Sequence, residues 1–269
     1  MNTPVQPPQY APEPPVPPSP SGSPSGSDNG PPASGGVVAW RVVGGLVAAV
    51  VVVLSTGSVI SAFTEQRRTT TTSYPQALSK VVVDTGTGSV DLRGGAAGSP
   101  VVVERRTRSS LGSSPTSSEA VSGGVLTLNA GCRGFGMCDV GYTISVPPGT
   151  AVTVTTSTGS IEAAGLDGDL DVTTSTGSIE LGLLRSARVA AQASTGSVEL
   201  VFAAPPQDVR AETSTGSVEV VVPADGSTYA VQSSTSVGSS EVTVPVDSSS
   251  PRRIQAKAST GSVEVRPGT

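Results

Sequence analysis

The chain has 269 residues, a formal net charge of −5 and no histidine. The acidic balance argues against a nucleic-acid partner, and the missing histidine removes a common general base and metal ligand. The length allows one or two domains.

Residues 1–36 are rich in proline, serine and glycine and contain no apolar pattern from which a core could form. This composition predicts a disordered tail that is partly polyproline II. Its PxxP spacing could dock in the groove of a partner, but the composition favours a solvated tail.

Residues 37–63 contain an apolar run that is nearly unbroken from Val42 to Leu54 and continues in milder form to Phe63. The run is long enough to cross a bilayer, so it predicts one transmembrane helix. A cleaved signal peptide is the alternative, because the most apolar part is only as long as a signal h-region. The long proline-rich segment before the run, and the lack of an Ala-x-Ala site after it, favour an uncleaved anchor.

Composition and the spacing of a repeated phrase divide the remainder into three parts. These are a Thr-rich stalk (64–79), irregular N-terminal coils or a cap (80–150), and regular repeats (151–269). Cys132 and Cys138 are the only cysteines, and their spacing suits a local disulfide in an oxidising compartment. The pair therefore predicts a cytoplasmic N-terminus and an extracellular repeat domain. The arginines flanking the apolar run slightly favour the opposite orientation, but large domains translocate largely regardless of such small biases.

One phrase organises the repeats: Thr-Gly-Ser, then Val or Ile, then an acid. Its glycines are Gly88, Gly159, Gly177, Gly196, Gly216 and Gly261, with a degenerate copy at Gly238. Counted from each glycine, the residues seven and five before it, and two and four after it, are mostly small and apolar. In the copy at Gly177 these are Leu170, Val172, Ile179 and Leu181. This alternation has period two, so each repeat is two short strands joined at a bend.

A single repeat cannot bury four small side chains alone, but stacked repeats can. The sequence therefore predicts an all-β, parallel β-solenoid of about seven coils. A meander sandwich is the alternative, although such folds do not normally repeat one corner phrase.

The acid that ends each phrase should form a column on the outer face. Its members are Asp91, Glu162, Glu180, Glu199, Glu219, Glu241 and Glu264. In stacked coils these carboxylates would stand about 4.8 Å apart. They could simply be solvated and deter edge aggregation, or they could take up Ca²⁺ or a polycationic surface ligand.

The serial phrases, the segment Val146–Thr150 and the single anchor resemble the bacterial putative-adhesin family of domains of unknown function. The resemblance covers residues 78–269. It implies a right-handed parallel β-solenoid displayed on the cell surface, and it supplies no catalytic residues.

We therefore expect a membrane-anchored, non-enzymatic surface protein that binds or scaffolds a cell-surface polymer or protein. It would contact lipid through one helix and need no cofactor. One alternative is an accessory sensor of envelope stress, with the proline-rich tail as its inner contact. A polysaccharide-processing enzyme is disfavoured, because its acids would need to converge in one cleft.

Overall fold

The computed structural model describes residues 66–268, which form nineteen strands and no helix. The strands are β1 (Gln66–Tyr74), β2 (Lys80–Thr87), β3 (Val90–Gly94), β4 (Val101–Ser109), β5 (Ser113–Ser122), β6 (Val125–Gly134), β7 (Cys138–Val146), β8 (Ala151–Thr158), β9 (Ile161–Ala164), β10 (Leu170–Thr176), β11 (Ile179–Leu184), β12 (Arg188–Thr195), β13 (Val198–Phe202), β14 (Asp208–Thr215), β15 (Val218–Val222), β16 (Ala230–Val237), β17 (Ser240–Val242), β18 (Arg253–Thr260) and β19 (Val263–Pro267).

Two sheets enclose one apolar core. The front sheet has ten strands in the order β1-β4-β7-β3-β9-β11-β13-β15-β19-β17, and the back sheet has nine in the order β16-β18-β14-β12-β10-β8-β2-β6-β5. Each repeat gives its first strand to the back sheet and its second strand to the front sheet. The alternating residues of both strands meet in the single core cluster between the sheets.

The inward columns explain why these short strands form. In the repeat at Gly177, the four predicted inward residues are each at most 4% exposed. A further inward position holds a buried threonine, whose hydroxyl donates to the corner glycine of the adjacent coil. Thr174 Oγ1 lies 3.0 Å from the Gly159 oxygen, and Thr213 Oγ1 lies 2.8 Å from the Gly196 oxygen. These bonds satisfy a buried polar group and tie successive corners together.

The corners require glycine because of how closely the coils approach each other. Gly177 has a φ of 142°, and a Cβ there would lie 2.2 Å from the carbonyl oxygen of Gly159. Both the backbone angle and the space exclude a larger residue. The same contact links each corner glycine to that of the adjacent coil.

The expectation of a wholly parallel solenoid is wrong, because both sheets are mixed. β1 pairs antiparallel with β4, β4 with β7, and β5 with β6. For the last pair the reason is local. Gly123 and Gly124 form a two-residue connection between Ser122 and Val125, with φ of 57° and 77°. Two consecutive positive φ values are typical of the hairpin turn that reverses a strand.

The order of the coils also departs from a solenoid that winds in one direction. The last repeat, β18 and β19, lies between the repeat of β14 and β15 and the degenerate repeat of β16 and β17. At the other end, β2 and β3 lie between β6 and β7 on one side and β8 and β9 on the other. The chain therefore steps over a neighbour at both ends of the stack.

Residues Gln66–Tyr74 of the predicted stalk form β1, at the edge of the front sheet. The predicted disordered tail (1–36) and transmembrane helix (37–63) lie outside the described residues. Within residues 66–268, no helix is long and apolar enough to cross a membrane.

Candidate functional site

The structure places all seven predicted acids in one row on the outer face of the front sheet. They pair in strict register in the order Asp91, Glu162, Glu180, Glu199, Glu219, Glu264, Glu241. With strands roughly 4.8 Å apart, the row is about 29 Å long. The last two members stand in reverse sequence order, because the C-terminal repeat is inserted before the degenerate one.

Two arginines form ion pairs with acids toward the two ends of the row. Arg93 Nη2 lies 2.7 Å from Asp91 Oδ2, and this hydrogen bond raises the pKa of the Arg93 guanidinium. Arg266 Nη2 lies 2.6 Å from Glu219 Oε1, and its Nε lies 3.3 Å from Glu264 Oε1. The carboxylates that remain between these pairs therefore dominate the charge of the row.

The middle of the row has no such partner within the described part of the chain. Glu162, Glu180 and Glu199 are all exposed, and no cation of residues 66–268 forms an ion pair with them. Three like charges in adjacent strands repel one another, so a cationic ligand would relieve a repulsion already present in the free protein.

A shallow groove of about 590 Å³ runs beside these three glutamates. Its lining includes the Asp91–Arg93 pair and three residues in the outward position two after each acid, namely Ala164, Gly182 and Val201. At the same position Arg93 stands in the repeat that adjoins Glu162, Val221 stands in the repeat that adjoins Glu199, and Arg266 stands one repeat further on. Small side chains in the middle leave room for a ligand against the carboxylates.

Sequence reasoning missed the two arginines and Glu104. The arginines carried a usable signal, because they recur at a fixed offset of two residues from the acid. Glu104 continues the row through Thr143, which pairs with Asp91, and Glu104 is bound by Arg106 at 2.7 Å. It lies outside the repeats, on an antiparallel strand, so the repeat phrase gave no signal for it.

The row favours an extended cation over a single metal ion. Each coil contributes one carboxylate, and within residues 66–268 no three Asp, Glu, Cys or His side chains converge closely enough to hold a metal. A Ca²⁺ site needs six to eight oxygen ligands around one point. A linear array instead matches a ligand that carries several positive charges along its length.

A second polar cluster lies between the two sheets at the end of the stack formed by β1, β4 and β5. The Tyr74 hydroxyl donates to Glu119 at 2.5 Å, and Arg105 Nη1 binds the other oxygen of Glu119 at 2.5 Å. Burial and the Glu119 carboxylate raise the pKa of Tyr74. Tyr74 and Arg105 belong to the front sheet and Glu119 to the back sheet, so the cluster joins the two sheets and is structural.

Cys132 and Cys138 form a disulfide. They lie at the end of β6 and the start of β7, in different sheets, so the bond joins the sheets where the two strands meet.

These features define a repetitive two-sheet β-domain whose regular outer face displays a row of acids. The family model described as Toastrack DUF4097 matches residues 56–267, and the chain belongs to that family. The resemblance drawn from the repeat phrase is thereby confirmed at the level of the family.

Three solved structures resemble the chain at 12% identity. A putative cell adhesion protein from Clostridium sporogenes covers 76% of this chain and 100% of its own, with a TM-score of 0.45. A putative adhesin from Bacteroides fragilis covers 75% and 97%, with a TM-score of 0.36. A putative adhesin from Parabacteroides distasonis covers 74% and 97%, with a TM-score of 0.30. A comparison with curated proteins gives no match.

Proposed function

We propose that this protein is a non-enzymatic, adhesin-like module that binds a polycationic polymer or protein segment at the cell surface. The observation that carries the proposal is the row of acids, in which Glu162, Glu180 and Glu199 form no ion pair within residues 66–268 and lie beside a groove lined largely by small residues. The row presents one repeated charge rather than a convergent cleft. This geometry suits multipoint binding of a polymer.

The strength of such binding comes from several weak contacts acting together. An exposed ion pair contributes about 0.2–1 kcal/mol, which is too little to hold a ligand by itself. At physiological ionic strength the Debye length is about 8 Å, so neighbouring carboxylates of the row act on the same ligand charge. A flexible oligocation can satisfy several carboxylates at once, and its binding should weaken steeply with salt.

We also propose that the apolar segment up to Phe63 anchors the chain in the cell membrane and that the β-domain lies outside the cytoplasm. Two features support this placement: the length of the apolar run, and a cysteine pair suited to an oxidising compartment. A membrane-impermeant thiol reagent, applied to intact cells with and without reductant, tests it. Labelling of Cys132 and Cys138 on intact cells only after reduction is expected, and labelling only after lysis would place the domain inside.

Calorimetric titration of the protein with an oligolysine, and separately with Ca²⁺, tests the ligand class. We expect oligolysine to bind and Ca²⁺ to give no saturable heat. The triple variant Glu162→Gln/Glu180→Gln/Glu199→Gln should weaken oligolysine binding about tenfold, since three exposed pairs contribute about 1.5 kcal/mol together.

A matched control changes the net charge equally on the other sheet. Asp84, Asp171 and Asp208 are exposed outer-face residues of the back sheet. The triple variant Asp84→Asn/Asp171→Asn/Asp208→Asn should leave the affinity within about twofold of the parent. An equal loss in both triple variants would mean that only the net charge matters, and the row would not be the site.

A further inference from the structure

Three large apolar side chains are exposed close together at one end of the molecule. Phe135 is 92% exposed, Met137 is 74% exposed and Leu111 is 66% exposed. Leu111 lies in the turn between β4 and β5, and the other two lie in the loop between β6 and β7. We call residues 110–112 and 135–137 the apolar tip.

The tip is held in place by contacts between its two segments. The Ser110 amide donates to the Met137 oxygen at 2.9 Å, and the Phe135 amide donates to the Gly112 oxygen at 2.9 Å. The Cys132–Cys138 disulfide closes the base of the second loop. The backbone of the tip therefore has little conformational freedom to lose when the apolar side chains meet a partner, which favours binding.

The position of the tip relative to the chain's N-terminal segment indicates the partner. β1 pairs antiparallel with β4 so that Gln66 is opposite Ser109, directly beside the tip. In the sequence only Thr64 and Glu65 separate Gln66 from Phe63, the last residue of the apolar run. The chain between Phe63 and Gln66 spans at most roughly 11 Å. A membrane that holds the apolar run would therefore lie within reach of the tip.

The surroundings of the tip are basic although the whole chain is acidic. Its arginines are Arg67 and Arg68 on β1, Arg106 and Arg108 on β4, and Arg133 on β6. The described carboxylates facing this group are Glu104, which pairs with Arg106, Asp139, which is opposite Arg108, and Asp91, which lines the same cavity as Arg106 and Arg108. Arg67 is opposite Arg108 on the neighbouring strand, and both side chains already have interaction partners, whereas Arg68 and Arg133 are exposed. Exposed apolar side chains with exposed arginines on the neighbouring strands suit the interface of a bilayer that contains anionic lipid.

We propose that the apolar tip is a second membrane contact, in which Phe135, Met137 and Leu111 enter the interface and Arg68 and Arg133 bind anionic headgroups. The inference rests on the proposed anchoring for its orientation. The contact fixes one end of the stack at the bilayer and so determines how the acidic row is presented. Aromatic and aliphatic side chains at the headgroup level bury apolar surface while arginine keeps its charge in the polar layer.

The test uses the full chain in vesicles and a tryptophan reporter at the tip. Phe135→Trp is made in a Trp40→Phe background, which removes the single native tryptophan. Quenching by lipids with brominated acyl chains is then measured in phosphatidylcholine vesicles with and without phosphatidylglycerol. A control reporter, Val246→Trp, replaces an exposed valine (59%) that pairs with Tyr229, beside the degenerate coil at the far end of the stack.

We expect the reporter at position 135 to lose about half of its emission in anionic vesicles and to shift to the blue. The loss should be smaller in neutral vesicles and at high salt, and the reporter at position 246 should not be quenched. Equal quenching in neutral vesicles would overturn the role of the arginines and with it the proposal. Emission at position 135 that changes with the protein-to-lipid ratio but not with the content of brominated lipid would mean that the tip contacts a second copy of the chain. That result also overturns the proposal.

Flotation with vesicles that survives alkaline carbonate reports the anchor independently. A chain that floats but shows no quenching at position 135 overturns the tip contact and leaves the anchoring intact. A chain that does not float overturns the anchoring and, with it, the inferred orientation of the tip. Because Phe135 is almost fully exposed, its substitution leaves the core unchanged.

Discussion

Gly261 packs directly against Gly216: a Cβ on Gly261 would lie 1.8 Å from the Gly216 carbonyl oxygen. Gly238 in turn packs against Gly261, with a corresponding distance of 2.1 Å. The C-terminal repeat is therefore internal to the stack, and the degenerate repeat that precedes it in sequence forms the edge. This order places Val263 and Val265 of the C-terminal repeat in the core.

Ile254→Ala should destabilise the protein much more than Val231→Ala, although both residues occupy the same position of their repeats. Ile254 is 1% exposed with a coil on each side, so its truncation leaves a cavity and should cost about 3 kcal/mol. Val231 is half-buried in the edge coil and should cost about 1 kcal/mol. Chemical denaturation of the two variants measures the difference. The reverse ranking would support a stack wound in sequence order.

Gly177→Ala should cost at least about 3 kcal/mol of folding free energy, because the new Cβ meets the backbone of the preceding corner at an unfavourable φ. Gly226→Ala is the matched control. Gly226 also has a positive φ, 79°, but nothing lies within 4 Å of its Cβ position, so only the backbone term of about 1–2 kcal/mol applies. Similar unfolding temperatures for the two variants would show that the close contact between corners does not add to the cost of the substitution.

The inward columns could be predicted from the sequence because burial on both sides of a bend imposes period-two alternation. Six of the seven predicted coils have all four predicted positions buried. The exception is the degenerate coil, in which Ser233 and Val231 are half-buried and Ser240 is exposed. Its polar residues are those of an edge coil, since a terminal repeat has no neighbour to cover it.

The order of the coils could not be predicted, because the repeats share one phrase. Any two coils can therefore stack with the same positions opposite each other. Val218 can pair equally well with Val263 or Ser240 as far as the local sequence shows, and the structure pairs it with Val263. The acids form one row in either order, because the acid occupies the same position in every repeat. The Gly123-Gly124 turn is a local signal for the antiparallel pair β5–β6, whereas the antiparallel pairs of β4 join strands that are distant in sequence and have no such signal. Glu104, which extends the row, lies on one of those strands.

Three tyrosines should titrate only as the protein unfolds at high pH. Burial raises the pKa of Tyr74, Tyr142 and Tyr229, and the hydrogen bond to Glu119 raises that of Tyr74 further. A raised pKa in the folded state means that the stabilisation is complete below the ordinary tyrosine value, about 10, and is lost as the pH rises above it. Tyr10→Phe silences the fourth tyrosine, which lies outside the described residues.

Absorbance of phenolate and circular dichroism, recorded together against pH, check this prediction. The two signals should change in one step above pH of about 10. Phenolate formation that precedes the loss of β-structure would show that these hydroxyls are accessible in the folded protein.

Restoring the consensus in the edge coil should cause self-association. Ser233 and Ser240 share a hydrogen bond between their hydroxyls at the two inward positions where the other coils carry apolar residues. The double variant Ser233→Ala/Ser240→Val would extend the apolar column to the edge, and the unpaired backbone of β16 and β17 would then adjoin an apolar surface. Such an edge is a template for a further strand, so we expect dimers that form as the protein concentration rises. Sedimentation measurements on the double variant, with the outward substitution Ser234→Val as control, decide the point. Monomers of the double variant at all concentrations, or equal association of the control, would show that the two serines do not protect the edge.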